Sequence, residues 1–197
     1  MPGDAHWLKP DQVKRMRESA LKSRYPERDE AIVALLYDTG LRRSELSQVD
    51  RAMLDLEDGL LRIPGRIQKD YPNENSPKPA TFKLDRGENL GTIPTLERYL
   101  EVRRDVPALF PSQKSSRMTG KAINDVVQRL ADLAEIRPYS FEGRGNPSDV
   151  SAHTLRHSVA WRMLRVEKGN TLYDVRNRLR HSSILTTERR YDHFETI

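Results

Sequence analysis

His153-Thr154-Leu155-Arg156-His157 is the stretch of this sequence that says most about its fold and chemistry. Residues three apart share one face of an α-helix, so a helix here would present the imidazole of His153 and the guanidinium of Arg156 to one ligand. A guanidinium is a planar fork that matches phosphate, and histidine exchanges protons near neutral pH. Such pairs also occur on solvated helix faces, so the interpretation depends on the other segments of the chain.

Three further segments accompany this pair. They are Thr39–Leu46, which reads TGLRRSEL, then Leu179–Ser183, which reads LRHSS, and Tyr191 near the end. In this order and at these separations, the set resembles the catalytic domain of the tyrosine recombinases, the family of phage integrases and Xer-type enzymes. The resemblance extends from about Leu8 to Tyr191. The phrases at 67–72 and 157–162 are similar, more narrowly, to integrases of halophilic archaea, their viruses or plasmids.

The composition is typical of an intracellular globular chain. Its 197 residues suffice for one compact domain, and the absence of cysteine excludes disulfides and thiolate metal sites. No apolar run approaches the roughly 20 residues that a membrane span needs. We therefore expect no membrane partner and a cytoplasmic location, in association with the nucleoid if the resemblance holds.

Basic residues are concentrated near the end of the chain. The formal net charge is +5, and the segment 162–190 alone holds eight basic and three acidic residues, a surplus equal to that of the whole chain. Most of these basic residues are arginines, which favour forked contacts with phosphate. The distribution therefore points to a polyanionic partner, for which the resemblance implies double-stranded DNA.

The periodicity predicts a mainly α-helical α+β fold. Apolar residues recur at helical spacing in the first forty residues and again beyond residue 94, and Gly40 is expected to end the second helix. Between about residues 54 and 94 this period disappears, and three segments are typical of strands: Leu60–Ile63, Thr81–Leu84 and Leu90–Ile93. The resemblance implies a small antiparallel sheet here and a single catalytic domain over residues 1–197, without the N-terminal core-binding domain of full-length members.

Helix starts can be placed from capping residues. Thr119 is expected to cap a helix that runs to about residue 134, and Ser151 to cap the helix that carries His153 and Arg156. A shorter helix would then deliver Arg180 and His181 at its end.

The resemblance assigns the candidate catalytic residues. Tyr191 would be the nucleophile, although it lies ten residues after His181 where nine are usual, and Tyr173 is the competing tyrosine. Glu45, three residues after Arg42, can pair with that arginine and hold its guanidinium in one orientation. The remaining members of the set are Arg42, Arg156, His153 and His181.

The catalytic lysine of the family is harder to place. Gly65-Arg66 stands where Gly-Lys is common, and the loop that follows is long and rich in Pro, Asn and Ser. Lys69 is the first choice and Lys83 the alternative. His157, next to Arg156, is expected to be structural and to lie off the reactive face.

Attack on a phosphodiester adds negative charge to the nonbridging oxygens, and the leaving alkoxide needs a proton. Two arginines and a lysine would meet these needs. The resemblance therefore implies site-specific cleavage and rejoining of DNA through a covalent 3′-phosphotyrosine, without cofactor or metal. It further implies a tetramer that assembles on DNA and associates weakly in solution, DNA-bending helper proteins and a role in a mobile element. The alternatives are relaxation of DNA by a type IB topoisomerase and sequence-specific regulation without cleavage.

Overall fold

The computed structural model describes residues 5–68, 77–87, 89–181, 184–191 and 194. Its α-helices are Pro10–Ser19 (α1), Pro26–Thr39 (α2), Arg43–Ser47 (α3), Thr92–Val102 (α4), Gly120–Leu133 (α5), Ala152–Arg165 (α6), Leu172–Leu179 (α7) and Ile184–Tyr191 (α8). Its strands are Leu54–Asp55 (β1), Leu60–Ile63 (β2), Ala80–Lys83 (β3), Tyr139–Ser140 (β4) and Gly143–Arg144 (β5). The predicted class, mainly helical α+β, is confirmed. In the described part of the chain, no helix combines the length and apolar character needed to cross a membrane.

Helix α2 is the central element of the core. Its residues 31–39 are all buried, and it packs against α1, α4, α5 and α6. A helix that is apolar on all sides must be surrounded in this way. Gly40 ends it in the left-handed conformation, with a φ of 69°, as predicted. The chain therefore leaves the middle of the core abruptly, and the segment that carries Arg42 begins there.

The three-stranded antiparallel sheet has the order β1-β2-β3. Leu61 pairs with both Leu54 and Phe82, and these side chains are buried, whereas Arg62 and Lys83 are exposed. This alternation is typical of a sheet that covers the core with one face only. The sheet lies in the predicted region, and β2 and β3 match two of the predicted strands.

The third predicted strand, at Leu90–Ile93, is wrong. The carboxylate of Asp85 accepts hydrogen bonds from the backbone N–H groups of Gly87, Leu90 and Gly91, and these bonds wind the segment into a turn. Helix α4 then begins at Thr92. The strand that completes the sheet is instead β1, which is only two residues long and too short to show a period.

Helices α5, α6 and α7 begin at hydroxyl caps. The side chains of Thr119, Ser151 and Thr171 accept hydrogen bonds from the backbone N–H groups three residues on, which satisfies donors that a helix start leaves unpaired. The caps at Thr119 and Ser151 confirm the predictions. The Ser151 cap sets the start of α6, which places His153 in the first turn of the helix and Arg156 one turn further along.

Replacing Gly40 by alanine should destabilise the protein more than the same change at Gly91. Both residues have a positive φ, of 69° and 61°, so alanine would cost about 1–2 kcal/mol at either site. A Cβ on Gly40 would also lie 2.5 Å from the fully buried Leu179, whereas a Cβ on Gly91 would meet nothing within 4 Å. Overpacking adds roughly 1–3 kcal/mol at Gly40 alone. Urea unfolding of both variants measures the difference, and equal losses would contradict the packing described here.

Candidate active site

Arg42 and Glu45 form a closed pair at the start of α3. The backbone N–H of Arg42 donates to Glu45 Oε2, and its Nη1 donates to Oε1, both at 2.8 Å. Glu45 is buried, but about a quarter of the Arg42 side chain remains exposed. The predicted pairing is confirmed, and it leaves the guanidinium oriented and still accessible to an anion.

Arg156 is one of the most completely buried large side chains of the protein. Its guanidinium donates hydrogen bonds to the backbone carbonyls of Gly40 and Leu179, at the ends of α2 and α7. Burial, together with the charge of Arg42, lowers the pKa of Arg156 to about 9, which still leaves it protonated at neutral pH. Arg156 thus joins α6 to two other segments that carry site residues.

His153 lies at the outer edge of the same helix face, as predicted. Its Nε2 is 3.3 Å from Nη1 of Arg190, and part of the residue is exposed. Desolvation of the ring and the guanidiniums of Arg156 and Arg190 lower the pKa of His153 to about 4. His153 is therefore a neutral imidazole at neutral pH, in a position that solvent and a ligand can reach.

Arg180 belongs to the same cluster of side chains as Arg42, Glu45 and Arg156. It was not identified as a site residue from the sequence. Its Nη2 lies 2.6 Å from Glu45 Oε2, its Nη1 donates to Gln68 Oε1 at 3.0 Å, and its guanidinium lies over the Phe82 ring. Burial alone would raise the pKa of Glu45, but the charges of Arg180 and Arg42 hold it below its ordinary value. Glu45 is therefore an ionised carboxylate held between two arginines.

Arg180 has an unusual backbone conformation, which the structure shows and the sequence does not. Arg180 has a φ of 54° and follows α7 in the left-handed position that glycine usually occupies. A bulky residue in this conformation is strained and persists only where other interactions hold it. At Arg180 the contacts with Glu45 and Gln68 do so.

Tyr191 ends α8 with its side chain fully buried in the cluster. Its ring stacks on His181 at 6.0 Å and on Phe194 at 5.7 Å. Burial raises the pKa of Tyr191 to about 12, although nearby guanidiniums, Arg156 first, act in the opposite direction. Tyr191 thus lies close to the predicted residues His181, Arg156 and Arg42.

His157 contacts Tyr191 directly. Its Nδ1 lies 2.8 Å from the Tyr191 hydroxyl oxygen, and both residues are buried. Burial and the neighbouring His153 lower the pKa of His157 well below its ordinary value. The expectation that His157 lies off the reactive face is therefore wrong, because α8 folds back over α6 at this point.

His181 takes up a different orientation around the same tyrosine. Its Nδ1 is 2.9 Å from the hydroxyl of Thr187, and its ring is nearly parallel to that of Tyr191, at 11°. Burial and the charges of Arg156 and Arg42 lower the pKa of His181 to about 3. His181 is therefore neutral, with one ring nitrogen engaged by Thr187.

Other predicted residues lie elsewhere. Lys69 falls outside the described residues. Lys83 is exposed on β3 and lines a cavity of about 470 Å³ together with Asp38 and Arg178. Tyr173 is exposed on α7 with Arg176 over its ring, and thus does not compete with Tyr191 for the cluster.

The cluster combines fixed cations with neutral imidazoles. Its positive charge comes from arginines that converge around Glu45 and Tyr191, and the lowered pKa values keep its three histidines uncharged. Among residues that the structure describes, no group of three or more His, Asp or Glu side chains is placed to hold a metal ion. The arrangement suits an anionic ligand whose negative charge increases during reaction.

Comparison with known proteins agrees with this arrangement. The model of the phage integrase family matches residues 6–196. The chain belongs to the phage integrase family. This confirms the family resemblance found in the sequence, while the narrower likeness to archaeal integrases stays a prediction.

Two relatives of this integrase-family chain are tyrosine recombinases named XerC. That of Herpetosiphon aurantiacus is 32% identical over 187 residues, covering 90% of this chain and 52% of the relative. That of Vibrio campbellii is 30% identical over 183 residues, covering 90% and 50%. The chain thus spans about half the length of these relatives.

Solved structures share the fold. The XerA recombinase aligns with a TM-score of 0.71 at 23% identity, covering 97% of this chain and 66% of that one. The Tn1549 transposon integrase, in complex with a circular intermediate DNA, aligns with a TM-score of 0.71 at 19% identity, covering 94% and 60%. The arrangement of helices and small sheet described above is therefore that of the tyrosine recombinase catalytic domain.

Replacing Arg180 by glycine should destabilise the protein, although it relieves the strain of the left-handed backbone conformation. Relief is worth about 1–2 kcal/mol, whereas removing one partner of a buried ion pair costs up to roughly 3–5 kcal/mol, and less than that upper value here because Arg42 still pairs with Glu45. Because the folded-state pKa of Glu45 is lowered, its stabilisation is present above the unfolded pKa and is lost as pH falls through the folded one. The difference between wild type and variant should therefore narrow below about pH 4.

The matched control is Glu135→Gly. Glu135 is the other non-glycine residue with a positive φ in the described chain, at 49°, and it is exposed. Its replacement should leave the free energy of unfolding unchanged or slightly raised. Urea unfolding of both variants tests this, over a range of about pH 3.5 to about 7.5 that spans the ordinary pKa of a glutamate carboxyl group. An Arg180→Gly protein as stable as wild type at neutral pH would contradict the role given to the ion pair.

Proposed function

We propose that this chain is the catalytic domain of a site-specific DNA recombinase, which cleaves and rejoins strands through a covalent 3′-phosphotyrosine. One observation carries the proposal: the Tyr191 ring lies in a cluster with Arg42, Arg156, His153 and His181, which come from separate segments of the chain. A buried phenol among arginines suits nucleophilic attack on a phosphodiester.

The arginines have the task of holding the nonbridging oxygens. In the reaction, Tyr191 Oη forms a bond to phosphorus, the bond to the 5′ oxygen breaks, and negative charge grows on the remaining oxygens. Glu45 orients Arg42, and two backbone carbonyls orient Arg156. These guanidiniums need little reorganisation when charge develops, which is the condition for effective electrostatic stabilisation.

The histidines would donate hydrogen bonds to the phosphate, and a lysine would supply the proton for the leaving oxygen. His153 and His181 are neutral, and they can donate hydrogen bonds to phosphate oxygens. A lysine would protonate the leaving 5′ oxygen, with Lys69 the first candidate and Lys83 the second. The phosphotyrosine bond conserves the energy of the broken phosphodiester, so a 5′ hydroxyl can reverse the step.

Access to the nucleophile depends on DNA. Tyr191 is fully buried in the protein alone, so neighbouring groups must move aside before a phosphorus atom can reach its hydroxyl oxygen. Double-stranded DNA is the proposed partner, supported by the basic surplus of residues 162–190 and by the DNA bound to the Tn1549 integrase. This requirement would keep the tyrosine unreactive away from its substrate.

Assembly and location follow from the same chemistry. Exchange between two duplexes needs four strand cleavages, so we propose a tetramer formed on DNA, weak in solution, with DNA-bending proteins as helpers. The protein would act in the cytoplasm at the nucleoid, in integration or excision of a mobile element.

Type IB topoisomerase activity is the second candidate. Relaxation of supercoiled plasmid without exchange between paired sites would favour it.

Tyr191→Phe should abolish covalent attachment to DNA while sparing DNA binding, because only the attacking oxygen is lost. The substrate is a nicked duplex whose cleaved end diffuses away, and a denaturing gel detects the protein–DNA adduct. Tyr173→Phe, on the exposed face of α7, is the control and should form the adduct like wild type. If wild type and Tyr191→Phe behave alike in every assay, a non-catalytic DNA-binding regulator becomes the better interpretation.

The catalytic lysine can be identified with a substrate that needs no acid. Loss of a general acid should slow cleavage roughly 10²–10⁴-fold. A 5′-bridging phosphorothioate substrate has a thiolate leaving group that departs unprotonated, so the lysine variant should recover on it. We expect Lys69→Ala to show this pattern and Lys83→Ala to cleave normally. Normal cleavage of the oxygen substrate by both variants would exclude both residues.

A further inference from the structure

We infer that His157 is a further catalytic residue, which accepts the proton of the Tyr191 hydroxyl as that oxygen attacks phosphorus. The inference rests on the proposed function, since it concerns the same nucleophile. It assigns to His157 the role of general base in cleavage and of general acid when the strand is rejoined.

The first support is the geometry of the contact. Tyr191 Oη and His157 Nδ1 are 2.8 Å apart, and the two rings meet at 68° with their centroids 5.5 Å apart. An edge-on approach of this kind directs the ring nitrogen at the hydroxyl. The distance lies within the range for direct proton transfer between a base and its substrate atom.

The second support is the placement of the other histidines. His181 stacks against the face of the Tyr191 ring, and its Nδ1 is engaged by Thr187. The Nε2 of His153 faces Arg190 at the exposed edge of the cluster. Of the histidines in this described cluster, His157 is therefore the one whose nitrogen meets the reacting oxygen.

The third support is the charge around the imidazole. The groups that face His157 are His153, Arg190, Arg156, His181 and Tyr191. Burial and this cationic surrounding keep the pKa of His157 well below its ordinary value, so the ring is neutral at neutral pH. In the tautomer that carries its proton on Nε2, Nδ1 can accept the proton of the Tyr191 hydroxyl. Without DNA, an imidazolium there would be repelled by both arginines. A bound phosphate supplies the negative charge that offsets this repulsion, which couples proton transfer to arrival of the substrate.

The step balances without another reactant. In cleavage, the Oη–P bond forms, the P–O5′ bond breaks, the phenolic proton moves to His157 Nδ1, and the leaving oxygen takes a proton from the lysine. In rejoining, the 5′ hydroxyl attacks phosphorus and gives its proton to the lysine amine. The P–Oη bond breaks, and the proton on His157 returns to the phenolate.

His157→Asn tests the role, because an amide oxygen can accept the Tyr191 hydrogen bond but is too weak a base to take the proton. Single-turnover cleavage of the nicked duplex should slow by roughly 10²–10⁴-fold at saturating DNA, with DNA binding and thermal unfolding unchanged. The defect should persist on the 5′-bridging phosphorothioate, since that substrate replaces only the acid. His157→Gln is the second variant should the asparagine variant fail to fold. His6, a partly exposed histidine that precedes α1 and lies outside the cluster, provides the control, and His6→Asn should cleave like wild type.

Each outcome is decisive. Cleavage by His157→Asn at the wild-type rate or faster would overturn the inference, because His157 would then only hold Tyr191 in its buried position. Recovery on the phosphorothioate would also overturn it, since His157 would then act on the leaving oxygen. Both results leave the proposed function intact, because wild type still forms the adduct. Absence of an adduct with wild type would refute the proposed function, and this inference with it.

Discussion

The buried guanidinium of Arg156 is the interaction on which the arrangement of the site depends. It donates to the carbonyls of Gly40 and Leu179, and these lie at the carboxyl ends of α2 and α7, where helix dipoles place partial negative charge. A buried charge without such partners would cost several kcal/mol, on the order of the protein's whole stability. Since Arg42 follows Gly40 and Arg180 follows Leu179, one side chain brings the three segments together.

Glu45 has the complementary role at the centre of the positive charge. Arg42 and Arg180 would repel each other, but Glu45 accepts hydrogen bonds from both, which keeps the two guanidiniums close. The left-handed backbone at Arg180 is the local strain that this arrangement tolerates. The guanidiniums of the site are thus held in a fixed geometry without any ligand, and an anion could bind to them with little rearrangement.

Charge and proton transfer are assigned to different residues. Arg156 stays protonated at neutral pH, whereas burial, together with neighbouring arginines, lowers the pKa values of His153, His157 and His181. The imidazoles therefore remain neutral where they surround Tyr191. A neutral imidazole can donate a hydrogen bond through one nitrogen and accept through the other. Burial raises the pKa of Tyr191 to about 12, so the phenol is held in its protonated form more firmly than a free tyrosine.

The sequence by itself determined the family, the mainly helical class and the pairing of Arg42 with Glu45. It also determined the end of α2 at Gly40 and the starts of α5 and α6 at Thr119 and Ser151. These features depend on local chemistry: helical periodicity, capping hydroxyls, glycine at a left-handed position and contacts three residues apart. The strand at Leu54–Asp55 escaped detection because two residues show no period. Only the tertiary structure revealed Arg180 beside Glu45, 135 residues away in the chain, and His157 beside Tyr191, 34 residues away. Both contacts are set by how α7 and α8 pack over α6, and no local pattern of residues encodes that packing.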